Sequence, residues 1–234
     1  MEWHFVPVTI QYIVAGTLSL TLGTYVLRKS RYSTPSKFFM MFSVFLAIWQ
    51  FLIFLHRNAP NEPLSEIFFK ISTGFASLTF SMIFLTILFL QNGKMIYTLV
   101  AIVPNVAFFI LGVPYLPIKV FWTEHGWSYI FALGESYLVS SLPMLLYIIY
   151  GLLNYVWILK PIKSSRSQFI RKKYKLIFLG FSLFFALGFA ISNTILYILP
   201  EAVPLGGITI IIGLIVMAYS ISLEEKWQEI YSPT

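Results

Sequence analysis

A basic residue inside an apolar run is costly in lipid and marks a function by default. Lys70, two turns into the stretch LSEIFFKISTGF, is the one clear instance. Glu66 precedes it by four residues, the favourable order for a helical Glu–Lys pair. That pairing, with the lysine stem snorkelling toward the outer surface, is a sufficient structural explanation. The functional alternative is a ligand or counter-ion role. His4, His56 and His125 fall on one face of the membrane and could hold zinc or sense pH between about 5 and 7. They are far apart in sequence, with no paired His-x3-His spacing, so no metal site is expected. The stretch 118–131 crowds Phe121, Trp122, Trp127, Tyr129 and Phe131 around His125. Tryptophan and tyrosine favour the membrane–water boundary, so a short amphipathic segment is expected there. It would serve either as a lid over an outward-facing pocket or as an aromatic anchor. Gln11, Gln50, Asn105, Asn154 and Asn193 lie within or near apolar runs, where interhelical hydrogen bonding is the default. Asn193 falls near the same outer region as Lys70. The candidate ligand-binding residues are Lys70, Trp122, His125, Trp127, Tyr137 and Asn193.

Much chemistry is excluded. There is no cysteine, which removes disulfides, thiolate catalysis and cysteine-ligated metals. All nine acidic residues are Glu, so no aspartate exists for a proton relay or metal-dependent phosphotransfer. His-Glu-x-x-His, Gly-x-Ser-x-Gly and Walker motifs do not occur. The last apolar run, Leu205–Leu223, has no lysine to form a retinal Schiff base. No enzymatic activity and no cofactor are expected.

The elements that must position the candidates are membrane helices. Of 234 residues, 58% are hydrophobic and only 11% charged, with mean hydropathy +0.81. A soluble domain carries roughly a quarter of its residues charged. A hydrocarbon core of about 30 Å needs about 20 apolar residues per helix. Seven runs qualify, at 7–27, 38–55, 64–90, 95–116, 134–159, 174–199 and 205–223. The expected fold is all-α, a single seven-helix transmembrane bundle over 1–234. The net charge of +7 is not a nucleic-acid signal, because the basic residues sit between apolar runs. The stretch KPIKSSRSQFIRKKYK, 160–175, carries seven basic residues and no acid. As a loop beside anionic head groups it belongs on the cytoplasmic face. With the N-terminus outside, thirteen of the sixteen Lys and Arg fall inside, and Arg57 and Lys119 fall outside. The expected topology is N-terminus outside, C-terminus inside, as a multi-pass protein of the plasma membrane. The start, MEWHFVPV, lacks the basic region of a cleavable signal peptide.

Small residues recur every four positions at Ala15, Ser19 and Gly23, at Thr73, Ser77 and Ser81, and at Ser182, Ala186 and Ala190. Such faces let backbones approach closely in lipid. Pro104, Pro114 and Pro143 each remove a helical hydrogen bond. The segment after the last run, LEEKWQEIYSPT, is too short for a catalytic domain.

With a basic turn after the first helix, Trp49 in the second, Gly126, Trp127 and Tyr137 before and in the fifth, and Gly180, Asn193 and Pro204 in the last two, the pattern resembles the N-terminal seven-helix sensor region of archaeal and bacterial histidine kinases. The first helix runs into a basic turn, YVLRKSRYSTPSKFF, and FLAIWQF places Trp49 in the second. HGWSYIFALGESYLVSS is similar to a glycine–aromatic stretch leading into a helix with a tyrosine, here Gly126, Trp127 and Tyr137. RKKYKLIFLGFSLFFALGFAISNTILYILP is similar to the sixth helix, with Gly180 and Asn193, and VPLGGITIIIGLIVMAYSI to the seventh, opened by Pro204. The resemblance implies an outward-facing sensor whose helices pass a signal to the cytoplasm. No output domain follows the seventh helix, so a separate cytoplasmic signalling partner or a longer parent chain is implied. The family's ligands are largely undefined, so no binding residue carries over.

Three functional readings follow. In a receptor, a small-molecule or lipid ligand outside selects one of two helix arrangements. The output face would be built from Arg166, Arg171, Lys172 and Lys173, opposite the acidic tail Glu224, Glu225 and Glu229. A small three-one-three carrier is the second, since FMMFSVFLA resembles FLGFSLFFA and YIVAG resembles YLVSS. A structural subunit of a larger membrane complex is the third.

Overall fold

The computed structural model describes residues 3–30, 32–91, 93–131, 137–192, 195, 198–199, 202 and 204–223. Within these the chain is a bundle of up-and-down helices with one small β-hairpin at one end. Helix α1 spans Ile10–Lys29 after a tight turn at Pro7–Thr9, α2 spans Thr34–Asn58 and α3 spans Glu62–Phe89. Helix α4, Ile96–Ala107, widens into a π-helical turn over Phe108–Gly112 and closes in a 3-10 turn at Val113–Tyr115. Strands β1 (Ile118–Thr123) and β2 (Gly126–Phe131) follow, then α5 (Tyr137–Ser164). Helix α6, Gln168–Ser182, continues as a π-helix over Leu183–Ile191, and α7 spans Gly206–Ser222. Six helices among the described residues are long and apolar enough to cross a membrane, and α7 is a shorter apolar helix.

Helices are the natural answer to this composition, because in lipid each backbone N–H and C=O must be satisfied within the chain. The buried hydroxyls obey the same rule. Ser19 donates to the Ala15 carbonyl, Ser43 to Phe39, Thr73 to Phe69 and Thr86 to Met82. Each hydroxyl therefore packs as a small, already satisfied side chain. Two of the amides expected to bridge helices likewise turn their Nδ2 back to their own helix, while their Oδ1 atoms find no partner among the described residues. Asn105 donates to the Ala101 carbonyl and Asn154 to the Tyr150 carbonyl, both within their own helix. Gln11 does bridge, donating to the carbonyl of Pro204 at the start of α7.

Of the small-residue faces, the first two are buried as expected, with Gly23 closed against Ser43 of α2. In α6 the close approach lies one face over from Ser182, Ala186 and Ala190. Gly180 and Gly188 meet Gly213, Ile210 and Gly206 of α7 backbone to backbone, which only a missing side chain permits.

The centre of the bundle is aromatic. Phe80 in the middle of α3 is fully buried, and its ring centroid lies 5.3 Å from Tyr147, 5.7 Å from Phe184, 5.4 Å from Phe185 and 5.0 Å from Phe189. Two tyrosines pin α5 across this core. Tyr147 donates to the Thr73 carbonyl of α3 and Tyr150 to the Ala101 carbonyl of α4, each at 2.8 Å.

Two expected segments differ. The basic stretch 160–175 is not a long loop: α5 runs on to Ser164 and α6 starts at Gln168, leaving three residues between them. Ser167 caps α6 by accepting from Ile170 N–H, so the basic residues project from two helix ends. The aromatic stretch 118–131 is a β-hairpin, an exception to an all-α fold. Its first strand alternates inward Ile118 and Val120 with outward Lys119, the period-two pattern of a half-buried strand. Thr123 pairs with Gly126 across the two-residue turn Glu124–His125, and Gly126 takes φ +89, which a side chain would oppose.

Candidate functional site

The hairpin lies across the end of the bundle where α2 stops and α3 begins. Ile118 and Val120 join Phe69, Phe108, Val113 and Leu116 in a small apolar cluster beneath it. Trp127 Nε1 donates to the Ala59 carbonyl at 2.8 Å, and the Tyr129 ring packs tilted against Phe69 with centroids 3.7 Å apart. Gly126 touches the carbonyl of Arg57 so closely that any Cβ there would clash. The hairpin therefore lies directly on the last turn of α2.

That last turn is polar and buried. His56, Arg57 and Asn58 are each at most 2% exposed. Asn58 ties the approach to α1 in place: its Oδ1 accepts from Val6 N–H at 2.8 Å, and its Nδ2 donates to Thr9 Oγ1 at 2.9 Å. His56 Nδ1 lies 3.0 Å from the Ser65 carbonyl and 2.8 Å from Ser65 Oγ. A carbonyl only accepts, so the bond to it assigns the proton to Nδ1 and leaves Nε2, which has no partner among the described residues, as an acceptor. Arg57 is charged and buried, and its Nε and Nη1 find no acceptor among the described residues. The Tyr12 hydroxyl approaches the guanidinium, and His56 and Tyr129 lie within its electrostatic reach. Helix α2 ends with its partly negative carbonyl pole beside this charge, which favours a cation there.

Tyr129 is the member of this cluster that sits in the hairpin. Burial of its hydroxyl pushes it from 10.0 up to about 12, against the pull of Arg57 and with a further push from Tyr12. Between pH 10 and about 12 the unfolded chain loses this proton while the folded chain keeps it, so stability falls as pH rises through that window. In an alkaline unfolding series, Tyr129→Phe should remove this slope, on the order of 2 kcal/mol across the window. An unchanged slope would mean that another group carries it.

The sequence candidates fall as follows. Trp122, His125 and Trp127 come together in the hairpin. Trp122 packs edge-on against Trp127 at 5.5 Å and lies 4.7 Å from the His4 ring. The His125 side chain lies at the turn, 3.8 Å from Glu124. Lys70 makes the expected pair with Glu66 at 2.7 Å and also reaches the Pro114 carbonyl at 3.5 Å, tying α3 to the end of α4. Asn193 lies outside the described residues, as does the side chain of Tyr137. At the opposite end Arg166, Arg171 and Lys172 are exposed, whereas Lys173 is buried and its carbonyl accepts from Ser220 of α7. Among the described residues no group of three His, Cys, Asp or Glu side chains comes together.

Asn58 and Tyr12 were not singled out by sequence, and Arg57, His56 and Tyr129 entered it only as an outer charge, a possible zinc or pH-sensing group and part of the aromatic stretch. The signal was HRN ending an apolar run: three polar residues that a helix would carry into its own last turn only if something buried received them. In comparisons with family models, curated proteins and solved structures nothing matches the chain, so its function has to be read from this geometry.

Proposed function

We propose that the chain is a seven-helix receptor module of the plasma membrane, with its N-terminus and hairpin outside and its C-terminus inside, that couples an outward-facing ligand site to a cytoplasmic signalling partner. The observation that carries this reading is the buried polar cluster at the last turn of α2, covered by a separate hairpin. A charged group held under a cap that belongs to no helix is a natural place for a ligand to change an equilibrium. The described basic residues gather at the other end, at Arg28, Lys29, Lys37, Lys94 and from Lys160 to Lys175. Under the positive-inside rule that end faces the cytoplasm. Between the two ends lies the aromatic column around Phe80, packed too densely to deform continuously and suited to switch between discrete arrangements. The carrier reading requires a polar cavity at the level of the bundle centre. Aromatic rings occupy that level, which favours the receptor.

Coupling is tested with a reporter at the basic end. A single cysteine introduced as Arg166→Cys is labelled in reconstituted protein, with and without Trp127→Ala, which removes the hairpin's bond to Ala59. Coupling of ordinary strength should change the labelling rate about five-fold or more. An unchanged rate, with the hairpin demonstrably loosened by protease sensitivity, would count against a receptor.

A further inference from the structure

Arg57 combines three properties that rarely coincide: a guanidinium, 2% exposure, and no ion pair among the described residues. Its neighbours Tyr12, Tyr129 and His56 are uncharged or weakly charged groups. Among the described residues Glu66 pairs with Lys70 and Glu124 lies beside His125, so neither carboxylate serves Arg57. Asn58 is committed to Val6, Thr9 and Phe54. The α2 dipole offsets about half a charge but supplies no acceptor to Nε and Nη1, which together carry three N–H donors. An uncompensated buried charge costs far more than a buried neutral polar group.

We infer that the buried Arg57 guanidinium beneath the hairpin is a binding site for a monocarboxylate, whose oxygens accept from one edge of the guanidinium with the Tyr12 hydroxyl as a further contact. One cation calls for one negative charge; a phosphate dianion would leave a second charge stranded in the same dry surroundings. A planar carboxylate meets one edge of a guanidinium with two parallel N–H···O bonds and answers its charge. Arg57 Nε and Nη1 are closed to solvent, so a ligand reaches them only when the hairpin lifts. The shared chemistry admits two sources, a soluble organic acid arriving from outside or a fatty acid arriving from the bilayer. The inference names the ligand class of the receptor proposed above, although binding itself does not depend on signalling.

The test is equilibrium dialysis of the purified full chain in detergent with benzoate, and of the reconstituted chain with oleate-containing vesicles. Saturable binding of benzoate supports a free acid as source, and saturable binding of oleate alone supports the lipid source. Benzyl alcohol should not bind. Arg57→Gln should weaken binding by at least about thirty-fold, and Arg57→Lys by less, since it keeps the charge and loses the fork. Both variants are checked by thermal melting, where Arg57→Gln is expected to melt no lower than the parent because it removes an unpaired charge. Glu135, four residues beyond β2 in the sequence, lies outside the described residues, and Glu135→Gln tests it as an internal counter-ion: binding that appears only in that variant would overturn the inference, because the chain's own carboxylate would be the occupant. Absence of binding by the parent and by Glu135→Gln would overturn it as well. Carboxylate binding that leaves the Arg166→Cys labelling rate unchanged would uphold the site and reject the receptor.

Discussion

Gly213→Val should leave little folded protein in the membrane. A Cβ at Gly213 would stand 2.6 Å from the Gly180 carbonyl oxygen and 2.6 Å from the Phe184 backbone nitrogen. Both obstacles belong to the backbone of α6, which cannot rotate out of the way as a side chain can. Reciprocally, a Cβ at Gly180 would stand 2.8 Å from the Gly213 oxygen and 2.9 Å from the Met217 nitrogen, so the two helices must separate along their length. Over-packing costs roughly 1–3 kcal/mol where side chains can adjust. Alanine at Gly213 belongs at the top of that range and valine above it, against a total stability of about 5–15 kcal/mol. Gly16→Ala is the comparison. There the near atoms are the Phe51 ring at 2.7 Å, which can turn toward lipid, and the loss should stay below about 1.5 kcal/mol. Recovery of monodisperse protein in detergent, followed by thermal melting, reads both. Equal tolerance at the two positions would show that α6 and α7 do not touch as described.

Phe80→Ala is expected to have the second-largest effect, for a different reason. In water, truncating a buried phenylalanine costs about 3–5 kcal/mol from lost transfer energy and the cavity left behind. In a bilayer the unfolded helices already sit in hydrocarbon, so the transfer part largely cancels and the packing part remains. Four rings from α5 and α6 converge on Phe80, and Trp49 of α2 lies 6.2 Å away. A cavity of this kind should cost about 2–3 kcal/mol and loosen the contacts of α3 with α5 and α6 together. A melting temperature unchanged within error would mean that the rings are not packed against one another.

The helices were legible in the sequence because lipid imposes one strong rule on backbone, and runs of Leu, Ile and Phe satisfy it. Their ends were less so. Helix α2 extends three residues past the apolar run because His56, Arg57 and Asn58 find burial and partners at the hairpin and at α1. Nothing local in HRN signals a partner at Val6 or Ser65, since those contacts are tertiary. The hairpin went unread for another reason. Its aromatic density points to an interface, while the alternation of Ile118, Lys119 and Val120 that marks a strand spans only a few residues. The glycine contact between α6 and α7 was half visible: the small-residue rule found a stripe on α6, but the neighbouring face is the one that packs. The Lys70–Glu66 pair, a purely local spacing, formed as the sequence implied. Arg57 is the instructive residue, since counting it as an outer loop charge located its end of the bundle and missed its burial.

The central claim is that the hairpin and the basic ends of α5 and α6 lie on opposite faces of a membrane. The natural chain has no cysteine, so single cysteines introduced as His125→Cys and Arg166→Cys report without background. A membrane-impermeant maleimide applied to intact cells should label His125→Cys and spare Arg166→Cys until the membrane is permeabilised. Labelling of both from outside, or of Arg166→Cys alone, would contradict it.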